Sequence, residues 1–67
     1  MYFKTAYDLL LSGKKIRHFG TEYEYLWYDP DKRKAMMHFQ NGEDKEVNYS
    51  LLVKYDEEKS NKWELVD

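Results

Sequence analysis

The chain has 67 residues and a mass of 8.2 kDa, room for one domain spanning 1–67. It has no cysteine, which excludes disulfides and thiolate zinc sites. Eleven basic residues against 13 acidic ones leave a net charge of only −2, neither the basic field of a nucleic-acid binder nor an acidic tail.

The first segment reads as an amphipathic helix. Phe3, Ala6, Tyr7 and Leu10 recur at the spacing of one helical face. Thr5 and Asp8 have capping-box spacing, so the regular helix is expected from Ala6, with Phe3 packing from outside it. Gly13 supplies a left-handed stop, and Lys14 and Lys15 follow where positive charge suits a helix C-terminus. Two to three turns do not stand alone, so the helix must dock on something.

After Gly13 the period becomes two. Lys15 and Arg17 alternate with Ile16 and His18, a half-exposed first strand. Gly20-Thr21 breaks it. Residues 22–28 then alternate, with Tyr23, Tyr25 and Trp27 on one face and Glu22, Glu24, Leu26 and Tyr28 on the other. Apolar bulk on both faces marks a central strand. Asp29-Pro30-Asp31-Lys32 is turn chemistry. The third strand covers 34–40, with Ala35, Met37 and Phe39 opposite Met36 and His38. Asn41-Gly42 is a hairpin signal that aims the chain into a fourth strand around Glu46–Tyr49. Residues 50–55 read as a continued strand or a short helix capped by Ser50, and 56–62 as a loop. Residues 62–66 form a last short strand. The expected class is α+β: one N-terminal helix packed on a curved, mainly antiparallel sheet of four to five strands.

Composition and motifs narrow the function. No apolar run approaches the ~20 residues of a membrane helix. The N-terminus lacks the hydrophobic stretch of a secretory leader, so a cytoplasmic protein without a membrane partner is expected. His18 and His38 fall on different strands with no HxH or HxxxH spacing, so no metal and no cofactor is expected. The acidic runs Glu22/Glu24, Glu43-Asp44 and Asp56-Glu57-Glu58 read as solvated faces. No nucleophile elbow or phosphate-cradling glycine loop occurs, so the expectation is not an enzyme, with no catalytic residues. The clusters Lys14-Lys15/Arg17 and Lys32-Arg33-Lys34 leave a nucleic-acid-binding accessory module as an alternative. The pI of 5.6 weighs against it.

The aromatics carry the main functional signal. Seven Tyr, three Phe and two Trp make 18% of the chain, more large rings than so small a core holds. Core packing explains part of the Tyr23, Tyr25, Trp27 stripe. The surplus points to a contact surface, because Tyr and Trp dominate binding hot spots. The candidate contact residues are Tyr23, Tyr25, Trp27 and Tyr28. Arg17 and Arg33 are the candidate anion partners, Arg17 the better placed of the two. A homo-oligomer is expected, since neither disulfide nor metal staples so short a chain, and a structural homo-oligomer subunit is a further alternative.

The opening Phe3-x-x-Ala6-x-x-x-Leu10-x-x-Gly13-Lys14-x-Ile16-Arg17 and the closing Asn61-Lys62-Trp63-Glu64-Leu65-Val66 resemble a group of small phage proteins whose better-known branch is the second Thoeris anti-defence family. Asn61-Lys62 stands where that family has an aspartate before its closing tryptophan. Phe19-Gly20 stands where a Gly-Trp pair often follows the basic strand. The resemblance implies a phage or prophage origin and an α+β fold that oligomerises. Together with the surplus aromatics and the lack of catalytic motifs, it leads to the expectation of a non-enzymatic protein that antagonises a host defence in the host cytoplasm. Such a protein would occlude a protein effector or sequester a nucleotide-like signal. No ligand residue is carried over from the family.

Overall fold

A computed structural model describes residues 1–19, 22–47 and 61–66. One helix, α1 (Phe3–Leu11), precedes five strands. These are β1 (Lys15–His18), β2 (Tyr25–Asp29), β3 (Lys34–His38), β4 (Asp44–Glu46) and β5 (Trp63–Val66). They form one sheet in the order β4-β3-β2-β1-β5, with every neighbouring pair antiparallel. The α+β expectation therefore holds, and β2 is the central strand. None of the described helices is long and apolar enough to cross a membrane. The expected strand or helix at 50–55 and most of the 56–62 loop lie outside the described residues, as does the Gly20-Thr21 break.

α1 starts earlier than the capping pattern predicts. Thr5 lies inside the helix, and Tyr2 occupies the cap position in an extended conformation with no side-chain cap. A backbone tie replaces the side chain. The Trp63 N–H donates to the Met1 carbonyl at 3.1 Å. The Met1 ammonium donates to the carbonyls of Asn61 and Trp63 at 2.8 and 2.7 Å. The first residues are thus held straight against β5, and the helix can begin at Phe3, which joins the core from within it. Its end follows the sequence reading. Gly13 is left-handed at φ 100°, its N–H reaches the Leu10 carbonyl, and the Lys14 N–H reaches the Leu9 carbonyl. That pair of bonds satisfies carbonyls the helix would leave open.

The helical face buries Phe3, Ala6 and Leu10 against Ile16, Leu26, Tyr23 and Trp63. Phe3 meets Trp63 at a ring separation of 5.4 Å, and His18 meets the same indole edge-on at 5.0 Å. Tyr7, Tyr28, Ala35, Met37, Phe39 and Val47 border this cluster. The alternation of Ala35, Met37 and Phe39 against Met36 and His38 is therefore realised.

The hairpin after β3 is one residue out of the expected phase. Gly42 (φ 90°) is not a central residue of a two-residue turn. The Gly42 N–H closes a turn onto the Phe39 carbonyl, and the Phe39 N–H bonds the Glu43 carbonyl, so Gly42 takes the left-handed bulge position after Gln40-Asn41. Asn41 Oδ1 accepts from the Glu43 N–H at 2.9 Å and fixes the bend. The fourth strand consequently begins at Asp44, earlier than expected, and His38 pairs with Asp44.

Candidate functional site

The helix covers one side of the sheet. The side chains of the other side follow from register. Ile16 pairs with Leu26, Trp27 with Met36, and Met36 with Glu46. Strand alternation then gives two rows that cross all five strands of the helix-free face, beside a short third row of Lys34 and Asp29. One runs Glu46, Met36, Trp27, Lys15, Val66. The other runs Asp44, His38, Tyr25, Arg17, Glu64.

These side chains are held in place by one another. Tyr25 stacks on His38 with centroids 4.7 Å apart and planes 19° from parallel. The Lys15 ammonium lies 4.6 Å from the centroid of the Tyr25 ring. Trp27 Nε1 donates to Asp44 Oδ1 at 2.9 Å. Those residues sit on β2 and β4, about 10 Å apart at ordinary strand spacing. The indole must therefore lean across β3, over Met36, which is buried. His38 Nδ1 lies 3.0 Å from the same Asp44 oxygen. A carboxylate only accepts, so Nδ1 carries the proton of that bond. The Trp27 N–H, and next the His38 bond, hold the Asp44 carboxyl below the usual aspartate range. On the flanks, Arg17 Nε donates to Glu64 Oε1 at 2.8 Å, and Lys34 pairs with Glu46 at 3.2 Å. Among the described residues Lys15 faces no carboxylate within ion-pair distance.

The six candidate contact residues separate. Arg17, Tyr25 and Trp27 share the helix-free face. Tyr23 does not join them. Residues 22–24 form a bend before β2, strand alternation does not extend through them, and Tyr23 turns into the core. Its hydroxyl accepts from the His18 N–H at 3.3 Å. Tyr28 points with Leu26 to the helix side and borders the core. Arg33 is exposed in the β2–β3 turn at φ 56°, beside the bend that Asp29 Oδ1 fixes by accepting from the Asp31 and Lys32 N–H groups. The two histidines are not neighbours, as expected from their separate strands, and register sets His18 on the helix side and His38 on the other. Among the described residues no three of His, Asp and Glu converge on a point that could hold a metal ion.

The sequence reading missed Lys15, His38 and Asp44 as members of this face. The signal for two of them was present. Lys15 and Arg17 share a side by alternation, and His38 was already set opposite Met37. Asp44 required the bulged hairpin.

Chemically, the face offers a flat indole platform, a tyrosine with both ring faces occupied, a basic strand and an acidic strand. Comparison with family models, curated proteins and solved structures finds no match to this chain.

Proposed function

We propose that this chain is a phage-type, non-enzymatic binding protein that antagonises a host defence in the host cytoplasm. Its helix-free sheet face covers a protein effector. The observation that carries this reading is the fixed state of the aromatic side chains there. Tyr25 is held between Lys15 and His38, and Trp27 is tied to Asp44. A surface ordered before contact loses less side-chain entropy on binding, and its residue types are those of interface hot spots. The phage-like opening and closing segments supply the setting.

A protein target is favoured over a base because both faces of Tyr25 are already taken. The second reading, capture of a nucleotide-like signal, rests on Lys15. Its ammonium lies over Tyr25 with no carboxylate partner among the described residues, and its strand position is opposite Trp27.

The test is phage plating on cells that carry a defence system, with and without this chain. Expression is expected to restore plating, and Tyr25→Ala with Trp27→Ala to abolish the rescue while the folded spectrum persists. Rescue that survives both substitutions would remove this face from the account. Calorimetry with cyclic nucleotides addresses the second reading: heat that disappears in Lys15→Ala supports it, and no heat dismisses it.

A further inference from the structure

We propose that the helix-free face also binds a second copy of this chain, sheet against sheet, and that a target at this face displaces that copy. The dimer requires nothing but the chain and does not depend on which target it meets.

The two rows are complementary to themselves. The basic residues Lys15 and Arg17 lie on β1, and the acidic residues Asp44 and Glu46 lie on β4. Between them lie the Trp27 indole, which covers Met36, and Tyr25 stacked on the His38 of β3. Consider a two-fold axis in the interface, parallel to the strands and midway between β2 and β3. It lays β1 of one copy over β4 of the other and keeps each row on itself. Lys15 then faces Glu46 and Arg17 faces Asp44, each contact occurring twice, while the two Trp27 indoles and the two Tyr25–His38 stacks meet about the axis. The centre is aromatic and the rim charged, the usual anatomy of an interface. An axis perpendicular to the strands would lay β1 over β1 and β4 over β4. Lysine would meet arginine and aspartate would meet glutamate, so like charges exclude that pairing.

The existing ion pairs do not block this. The Arg17 and Glu46 side chains are 45% and 54% exposed, and exposed pairs exchange partners at small cost. The four strands that overlap, β1 to β4, offer about 250–300 Å² per copy, below the ~800 Å² per partner of a standard stable interface. The dimer is therefore reversible and dissociates on dilution.

Sedimentation equilibrium of the full chain over a concentration series tests this. The wild type is expected to pass from monomer to dimer. Lys15→Glu and Glu46→Lys, each checked for an intact thermal transition, are expected to weaken association about tenfold or more. An equimolar mixture of the two is expected to recover it, because each variant then supplies the charge the other needs. A second measurement needs no substitution. Carbodiimide treatment of mixed ¹⁴N and ¹⁵N wild-type chains is expected to join Lys15 to Glu46 with both isotopes in one product. Within a chain these residues stand three strand spacings apart, about 14 Å. A chain that stays monomeric to its solubility limit overturns the proposal. So does a mixture that gains nothing over its components, or a Lys15–Glu46 product without mixed isotopes. Dimerisation with no effect on phage plating would defeat only the functional reading above.

Discussion

Replacing Trp63 by alanine is the sharpest test of how this small fold is held. The indole is 2% exposed. It packs on Phe3 at 5.4 Å and receives the His18 ring at 5.0 Å. It therefore joins α1, β1 and β5 at one point. Truncating a buried Trp to Ala costs about 3–5 kcal/mol, the lost transfer energy plus the cavity left behind. A chain of this length has about 3–10 kcal/mol of stability in total. The substitution consumes most of it, and Trp63→Ala is expected to be largely unfolded at 37 °C. Trp63→Phe keeps a ring against Phe3 and is expected to lose only about 1–2 kcal/mol. Urea unfolding followed by far-ultraviolet circular dichroism reads both. A cooperative transition in Trp63→Ala within about 1 kcal/mol of wild type would refute the placement of this residue at the centre of the core.

Two further predictions follow from local geometry. Arg33 is the non-glycine residue at positive φ among those described. A left-handed backbone costs an L-residue about 1–2 kcal/mol, part of which glycine returns through its freer unfolded state. Arg33→Gly is therefore expected to raise the unfolding free energy by up to about 1 kcal/mol, read as a higher urea midpoint, and a lowered midpoint would contradict the strained turn. The second concerns acid. The Trp27 and His38 bonds depress the Asp44 pKa in the folded chain, so the unfolded chain takes up the proton first. The Asp44 contribution is complete above about pH 4, the unfolded aspartate value, and is lost as pH falls further through the folded value. Asp44→Asn is expected to flatten that part of the acid limb in urea titrations from neutral to low pH. An unchanged acid limb would contradict the Trp27–Asp44–His38 arrangement.

The elements legible in the sequence were those with a clean period. Phe3, Ala6 and Leu10 show one helical face, and Gly13 its stop, because helix spacing and a left-handed glycine are local facts. Ile16 between Lys15 and Arg17 likewise declares which side of β1 is buried. Tyr23 was misread for a physical reason. Alternation assigns faces only along regular strand, and the chain bends at 22–24 before β2 begins at Tyr25. The helix start was missed because it is set by a backbone tie between Met1 and Trp63, 62 positions apart. The polar face was half legible. Tyr25 and Trp27 stood out by type, but their partners come from register. The Arg17–Glu64 pair spans 47 positions, and Asp44 reaches Trp27 only because a bulge at Gly42 sets the phase of β4.

The two tryptophans divide the account between them, Trp63 inside the fold and Trp27 on the working face. Each gives one indole N–H signal in a ¹H–¹⁵N spectrum. A dilution series of the labelled chain reads both at once. The Trp27 signal is expected to move with concentration while the Trp63 signal stays fixed. A Trp63 signal that moves while that of Trp27 does not would place the contact surface elsewhere and contradict the central claim.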